Sequence, residues 1–332
     1  MKNLLKIKDL LKIKKTYLLF FTLLTTVMYS ENPFPSDYRL FLEEDCDACG
    51  CSNNGGSLGM GGILENNFIG VRYLHQQYES KDGIFNNSPK IEESFNTMQI
   101  WSRIPITSKL DVQVFVPYHF HTRNYIDKST QISGLGDVSL FANYTLINQQ
   151  KGAYNETSDK VTSTNHLLKI GGGIKLPTGS FNEKNNNAIN PSFQLGTGSV
   201  DYIANVQYVY KYNKLGVTNY VNYYYKTINK KEYKFGNQFN FNSAFFYVFK
   251  DNQKHSFVPS LGVSGEFYQS NEKFNLEIKN TKGHALFTNI GFEYNTEKIT
   301  FGALGMYPIN QNLAQGTIDV KYRTSLYFNY NF

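Results

Sequence analysis

The amino-acid sequence predicts an all-β fold, namely a closed antiparallel transmembrane β-barrel of about twelve strands. Three observations support this fold class. Apolar and polar residues alternate over segments longer than the usual strand of a soluble protein, short and long connections follow one another in turn, and an export signal precedes the alternating region. Intrinsic disorder is excluded, because 25 Tyr and 26 Phe among 332 residues are too many for a chain that buries no apolar surface.

Residues 1–30 are predicted to be a secretory signal peptide, cleaved after Ser30. Lys residues precede a largely apolar run over residues 17–29, which is shorter than the roughly twenty residues of a membrane-spanning helix. No later apolar stretch reaches that length, so no transmembrane helix is expected. The chain has 33 Lys and Arg and 27 Asp and Glu, of which the leader holds six Lys and one Asp, leaving 27 bases and 26 acids. This balance does not support a nucleic-acid partner.

Alternation assigns residues 67–332 to the barrel, and it is clearest at the C-terminus. Over residues 318–332 every even position is apolar, aromatic or Thr, and most odd positions are polar. The same pattern occurs over residues 110–121, 201–210 and 235–249. Its polar face is mostly Asn, Gln, Ser, Thr and Gly, which suits a wet lumen better than the charged outer face of a soluble sandwich.

The connections give an independent test of the strand count. The strands are expected to begin near Asn67, Ser94, Leu110, Leu135, His166, Ser199, Leu215, Lys234, His255, His284, Ile299 and Thr317. Short periplasmic turns are then expected at residues 105–109, 211–214, 250–254 and 295–298, and outer loops at residues 79–91, 125–134, 177–198, 228–233, 268–283 and 307–316. The inner connection at residues 148–165 is too long for this scheme. Either it is an insertion or the count slips by one hairpin there.

Three segments carry a resemblance to a known family. They are GLGDVSLFANYTL at residues 134–146, GGGIKLPTGSF at residues 171–181 and QLGTGSVD at residues 194–201. In these motifs the chain resembles the outer-membrane proteins of the meta-pathway phenol-degradation type, distant relatives of the long-chain fatty-acid transporters, in a variant with a Cys-rich opening. The resemblance implies an outer-membrane, porin-like transporter or channel for small, often hydrophobic or aromatic solutes. The expected partners are outer-membrane lipid, a small solute and the barrel-assembly machinery.

A Cys/Gly-rich segment at residues 31–66 contains Cys46, Cys49 and Cys51, all the cysteines of the chain. Thiolates at this spacing can bind one soft ion, copper or zinc, with Met60 or an outside ligand completing the shell. A disulfide in an oxidising compartment is the alternative, and a lipid anchor at Cys46 is a third. The metal reading gives a second hypothesis for function, a metal-binding protein whose barrel is an anchor or a metal-uptake channel. The segment is expected either to plug the lumen or to extend into the periplasm.

Several polar residues are predicted to face a narrow lumen, since about twelve strands lie between the filled eight-strand barrel and the open sixteen-strand channel. His119 and His121 are spaced to share a cation or to form a hydrogen-bonded pair near the rim. Arg72 is expected to pair with Asp319 where the barrel closes. The lumen-facing candidates are His119, His121, Arg123, Asp137, Asp201, Asp319, Lys321 and Arg323.

Enzyme signatures are not found in the sequence. It contains no Gly-x-Ser-x-Gly elbow, P-loop, His-Glu-x-x-His motif or dinucleotide fingerprint in its expected setting. A hydrolytic barrel would need rim Asp, His and Ser groups such as Asp137, His119 and Ser199, and nothing in the sequence brings these together. We therefore expect no catalytic activity.

Overall fold

The computed structural model describes residues 67–81, 89–155, 160–185, 188–251 and 255–332. The predicted signal peptide and the Cys/Gly-rich segment, with its metal, disulfide, lipid-anchor and plug predictions, lie outside the described residues. Within the described ranges, no helix is long and apolar enough to cross a membrane.

The described chain consists almost entirely of β-strands, with one 3-10 turn at Ala314–Gly316. The first ten strands are β1 (Phe68–Lys81), β2 (Lys90–Pro105), β3 (Leu110–Asn124), β4 (Ser129–Leu135), β5 (Val138–Asn155), β6 (Lys160–Leu176), β7 (Lys184–Asn185), β8 (Ala188–Ile189), β9 (Asp201–Tyr212) and β10 (Leu215–Tyr225). The others are β11 (Tyr233–Lys234), β12 (Gln238–Tyr247), β13 (Phe249–Asp251), β14 (His255–Tyr268), β15 (Glu272–Lys273), β16 (Leu276–Glu277), β17 (Gly283–Asn295), β18 (Ile299–Leu313) and β19 (Ile318–Asn331).

Fourteen of these segments form one antiparallel sheet that closes on itself. β4 and β5 pair one after the other with β3, and β12 and β13 pair one after the other with β14. Each of these two couples is one interrupted strand, so the barrel has twelve strands. Closure is between β1 and β19, where the amide of Phe332 donates to the carbonyl of Asn67 at 3.2 Å. The predicted fold class is confirmed. We call the end with these two residues the terminal end and the opposite end the loop end.

The long connection at residues 148–165 is a hairpin, and the strand count does not slip there. β5 and β6 stay paired from Val138 and Leu176 down to Asn155 and Lys160, with one register shift between Thr145 and Ile147. Only residues 156–159 connect them. The chain therefore returns to the terminal end with a short turn, as it does at residues 106–109, 213–214 and 296–298.

The outer surface has an apolar band bounded by aromatic side chains at both ends. On β9, Tyr202 and Tyr212 face outwards ten residues apart. That length is about 33 Å of strand, or roughly 25 Å of height at the usual tilt, which matches the apolar band of an outer-membrane barrel. Exposed aromatics at the loop end are Tyr118, Phe120, Tyr202, Tyr225, Phe239, Phe267, Tyr307 and Tyr322, and those at the terminal end are Tyr144, Tyr212, Tyr247, Phe249, Phe257, Tyr294, Tyr330 and Phe332. The protein thus lies in the outer membrane, as predicted.

A β-bulge in β19 changes the predicted faces of this strand. Gln77 of β1 lies opposite Tyr322, whereas the next residue, Tyr78, lies opposite Val320, so Lys321 is the extra residue. An inserted residue moves the side chains beyond it to the other face of the sheet. Ile318 and Val320 are consequently buried inside the barrel, although the alternation predicts that they face lipid.

Candidate functional site: the barrel lumen

The described part of the connection between β6 and β9, residues 177–185 and 188–200, folds into the barrel. Phe193 and Leu195 are buried in one apolar cluster with Leu74 and Phe95 of the barrel wall. The prediction treats this segment as an outer loop, and the structure shows that it crosses the lumen at the loop end. We call residues 177–200 the inward loop.

A buried charge network holds both ends of the inward loop. The Nζ of Lys175 lies 2.9 Å from Asp137 and 2.7 Å from Asp201, and all three side chains are at most 2% exposed. Asp137 also accepts hydrogen bonds from the amides of Gly179, at 2.9 Å, and Thr197, at 2.8 Å. The carboxylate of Asp137 therefore joins the beginning and the end of the loop to the wall. We call Asp137, Lys175, Asp201, Gly179 and Thr197 the mouth network.

The mouth network brings together the three segments that carry the family resemblance. Asp137 comes from residues 134–146, Gly179 from residues 171–181, and Thr197 with Asp201 from residues 194–201. Glycine is required at Gly196, because a Cβ there would lie 2.3 Å from Oδ1 of Asp137. These motifs are therefore the parts of a loop anchor.

A second anchor fixes the middle of the inward loop. The Nε of Arg123 lies 2.8 Å from Glu93, and its Nη2 donates to Oγ of Ser192 at 2.8 Å. The guanidinium also lies over the ring of Phe193, 4.6 Å from the centroid. Ser80 donates to the same carboxylate of Glu93 at 2.9 Å. Arg123 faces the lumen and positions the loop, a role that the sequence does not indicate.

His119 and His121 lie side by side on the inner face of β3, with ring centroids 4.7 Å apart. The Nδ1 of His119 is 2.8 Å from Oγ1 of Thr97, and the ring of His121 packs edge-on against Phe95 at 4.9 Å. Both side chains are buried. Among the described residues, no group of three or more His, Cys, Asp or Glu side chains is arranged to hold a metal ion. The pair is built into the wall beside the inward loop.

Arg323 is the one member of the predicted line on β19 that faces the lumen. Its guanidinium binds Glu266 through two hydrogen bonds of 2.7 and 3.0 Å, and it donates to Tyr78 at 2.7 Å. The prediction that Asp319 and Lys321 face the lumen is wrong. The bulge turns both outwards, where Asp319 lies opposite Glu79 of β1 and Lys321 lies 3.3 Å from Glu79.

The predicted pair between Arg72 and Asp319 is also wrong. Arg72 lies opposite Tyr327, near the terminal end, whereas Asp319 lies opposite Glu79, near the loop end. Arg72 instead donates to the side chain of Gln99 at 2.5 Å and lies over the ring of Trp101 at 4.6 Å. The register thus separates the two charges along the strands.

The proposed hydrolytic residues take part in other contacts. Asp137 belongs to the mouth network, Ser199 donates to Asp201 at 2.9 Å, and His119 contacts Thr97. These hydrogen bonds do not form a relay among Asp137, His119 and Ser199.

Two further loops close the loop end over the inward loop. Phe181 of the inward loop forms a buried cluster with Tyr233, Phe235 and Ile278. Tyr233 and Phe235 come from the connection between β10 and β12, and Ile278 comes from the connection between β14 and β17. Asn271 supports them, since its side chain accepts from the amide of Gly236 at 2.8 Å and donates to the hydroxyl of Tyr233 at 2.8 Å. Packed loops therefore fill the lumen at this end.

The terminal end contains an open cavity of about 440 Å³. We call it the terminal vestibule. Its lining comes from the ends of β2 and β3, from the turn between them, and from β5, β6, β9 and β12. The lining residues are Asn67, Arg103, Pro105, Thr107, Ser108, Lys109, Leu110, Asp111, Thr145, Asn148, Gln150, Asn165, Leu167, Lys169, Val209, Lys211 and Phe246.

Sequence reasoning missed several charged residues of the lumen. Lys175, Glu93 and Glu266 are buried on inner faces, and none was expected there. A signal existed in each case, since a charged residue in the polar phase of a barrel strand faces the lumen. The contact of Lys175 with Thr197 of the inward loop has no such signal, because a loop has no periodicity.

Comparison with known proteins supports the class of fold. No protein-family model matches the sequence, and no curated protein matches it either. Among solved structures, an outer membrane channel from Pseudomonas putida F1 is similar with a TM-score of 0.57 at 15% identity, over 85% of this chain and 99% of that chain. The β domain of the Bordetella autotransporter BrkA gives 0.47 at 9% identity, over 81% and 100% of the two chains. The CymD monoaromatic hydrocarbon channel gives 0.36 at 7% identity, over 85% and 94%.

The first of these similarities, together with the closed sheet and the aromatic girdles, defines the chain as an outer-membrane β-barrel. At this identity the similarity concerns the fold alone. The phenol-degradation type therefore stays a prediction.

Proposed function

We propose that the barrel is an outer-membrane channel or transporter for small solutes, including hydrophobic or aromatic ones, in which the inward loop restricts the path. The observation that carries this proposal is the fastening of the inward loop to the wall by buried charges at Lys175 and Arg123. Burying charges is costly unless their geometry is well satisfied. A barrel that serves only as an anchor could fill its lumen with apolar side chains at lower cost.

The second support is the asymmetry of the lumen. An open vestibule at one end leads towards a loop-filled mouth at the other. Between them, buried side chains of the wall, including Trp101, Phe115 and Phe141, form a further cluster, so opening a path requires these side chains to move as well as the inward loop. This arrangement favours a narrow path over a wide pore.

Conductance of the purified full-length protein in planar bilayers tests the proposal. Phe193→Ala removes a buried ring of the inward loop, with a packing loss of about 3–5 kcal/mol, and is expected to raise the conductance. Phe239→Ala is the matched control, because Phe239 is 40% exposed on the outer surface. If neither the wild type nor Phe193→Ala conducts, the channel proposal is wrong.

The metal-binding alternative depends on Cys46, Cys49 and Cys51, with copper or zinc as the ion, and stays a prediction. Growth of a deletion strain on aromatic compounds and on copper separates the two functions. A growth defect on aromatic compounds alone supports a solute channel, and a copper phenotype alone supports the metal function.

A further inference from the structure

Aromatic side chains close the middle of the lumen, between the terminal vestibule and the inward loop. We call them the central cluster, which consists of Phe68, Trp101, Phe115, Phe141, Ile203 and Tyr224, with Tyr327 packed against it. Tyr224 comes from β10, which is separated from β1 by five strands on either side, so the cluster spans the lumen from wall to wall. Trp101 precedes the vestibule residue Arg103 by two positions on β2. The central cluster therefore begins where the vestibule ends.

Arg72 of β1 is a buried cation in contact with the central cluster. It is 3% exposed, and its guanidinium lies over the rings of Trp101, at 4.6 Å, and Phe115, at 5.7 Å. Its Nε and Nη2 both donate to Oε1 of Gln99, at 3.0 and 2.5 Å. Among the described residues, the partners of Arg72 are thus a neutral amide and aromatic rings, and no carboxylate forms an ion pair with it.

Two other arginines of the lumen are bound by carboxylates. Arg123 pairs with Glu93, and Arg323 binds Glu266 through two hydrogen bonds. Burying a charge is costly unless it is both paired and hydrogen-bonded, and these two arginines meet that condition within the protein. Arg72 meets it only in part. A carboxylate supplied from the lumen would complete its surroundings.

Two neutral donors beside Arg72 have no acceptor either. Nε2 of Gln99 and Nε1 of Trp101 are buried without a hydrogen-bond partner in the described part of the chain. The amide of Gln99 cannot turn over to find one, because its oxygen has to face the guanidinium. Buried polar groups are normally hydrogen-bonded, so each of these donors calls for a partner. We call Arg72, Gln99 and Trp101 the donor site.

We propose that the donor site binds the carboxylate of small solutes that have an aromatic body. The inference rests on the proposed channel function and deepens it by naming the solute class. A carboxylate brings acceptors and no donors, and its hydrogen bonds with a guanidinium are charge-assisted. The rings of the central cluster would contact the aromatic body. The cluster is closed in this structure, so a bound acid would displace a ring at its edge, where Tyr327 is only partly buried.

Tryptophan fluorescence of the full-length protein in detergent tests the site, because Trp101 is the only tryptophan of the chain. The probe is para-iodobenzoate. Iodine quenches an indole only in close contact, so saturable quenching reports binding beside Trp101. The neutral control, para-iodobenzyl alcohol, has the same ring and iodine. It should need a concentration about tenfold higher, since hydrogen bonds to charged groups are stronger than those to neutral groups.

Gln99→Glu is the decisive variant. It keeps the size of the side chain but gives Arg72 a carboxylate within the wall, which would compete with the acid. We expect a folded barrel whose affinity for para-iodobenzoate is about tenfold lower or less. Val71→Met is the matched control, because Val71 is the neighbour of Arg72 on β1 and is 46% exposed on the outer face. Its quenching should equal that of the wild type.

Arg72→Met is the second variant. It should lose the quenching by para-iodobenzoate without a fall in the free energy of unfolding, because it removes a buried charge that no carboxylate of the described chain pairs with. If this variant does not fold, the Gln99→Glu variant decides the question by itself.

The outcomes distinguish this inference from the channel proposal, because quenching does not require conduction. Equal quenching by the acid and the alcohol, no saturable quenching by the acid, or unchanged quenching in folded Gln99→Glu would overturn the donor site. Quenching that is lost in Gln99→Glu and kept in Val71→Met supports the site, even in a barrel that does not conduct. Conduction by a wild type that shows no quenching would remove the donor site and leave the channel proposal standing.

Discussion

The two ends of the lumen have the same strands but different contents. At the loop end, the wall is covered by the inward loop and its buried ion pairs, and Phe193 and Leu195 complete an apolar cluster. At the terminal end, the wall borders a cavity whose bases outnumber its acids. Inward-facing positions are therefore covered by a loop at one end and border a cavity at the other.

Connection length explains this difference. The connection between β6 and β9 has 24 residues, enough to enter the barrel and return. The turn between β9 and β10 has two residues and only reverses the chain. Strand alternation determines which side chains face inwards. The length of the connections determines whether a loop covers those side chains.

Replacing Lys175 with Met should have the largest effect on the loop end. It leaves Asp137 and Asp201 buried without their shared cation, and removing one partner of a buried pair costs about 3–5 kcal/mol. We expect a corresponding fall in the free energy of unfolding, measured by urea titration in detergent, together with a higher conductance as the loop is released.

Lys169→Met is the matched variant for the terminal end. Lys169 also pairs with a carboxylate, that of Asp111, at the same distance of 2.9 Å. Lys169 lines the vestibule, so the variant should lose less stability and should not raise the conductance. Equal increases in conductance for both variants would remove the distinction between the two ends.

Substitutions on the outer face test the membrane boundaries of both ends. Leu326 lies between the aromatic girdle residues Tyr322 and Tyr330 on β19 and is 47% exposed. Leu326→Arg should cost about 2–4 kcal/mol at the bilayer midplane, and Tyr322→Arg about 0–1 kcal/mol near the interface. Refolding into lipid vesicles measures the cost of each substitution. Ser325 is a poor control, since it is buried inside the barrel. Equal costs at the two positions would mean that the apolar band does not lie where the girdles place it.

The barrel itself could be predicted from alternation because every strand is long and has one lipid-facing side. The strands that begin at Leu110, Leu215, His255 and Ile299 start at the predicted residues. The hairpin at residues 148–165 was ambiguous, because β5 and β6 continue beyond the length expected of a membrane strand. Pairing between the two strands, and not periodicity, extends them.

Two features could not be read from periodicity. The bulge at Lys321 is hidden because Ile318 and Val320 are apolar, and an apolar side chain suits the buried lumen cluster as well as lipid. The inward loop has the Gly and Asn composition of an exposed loop. Its apolar residues Phe181, Phe193 and Leu195 are the sign that parts of it are buried.

The orientation of the barrel gives the last prediction, whose expected effect on stability is the smallest. A protease site inserted between Phe274 and Asn275, at the exposed tip of the β15–β16 hairpin, should be cut on intact cells. A site in the two-residue turn at Asn213 and Lys214 should be cut only after the outer membrane is permeabilised, because short turns face the periplasm. The sequence alone also suggests sites near Asn86, outside the described residues, and near Asn271. Asn271 is buried among the packed loops, so an insertion there would disturb the fold.

Neither the insertion at Phe274 nor the one at Asn213 lies in the lumen, so the conductance should not change. The free energy of unfolding should stay within about 0.5 kcal/mol of the wild type. Cleavage of the inserted site by external protease is then the only quantity that changes. Immunoblotting of the cleaved fragment from whole and permeabilised cells measures this cleavage. If the site at Asn213 is cut on intact cells and the site at Phe274 is protected, the terminal vestibule faces the medium. The cations of the vestibule would then meet a solute before the inward loop does, and the direction of solute entry through the barrel would be reversed.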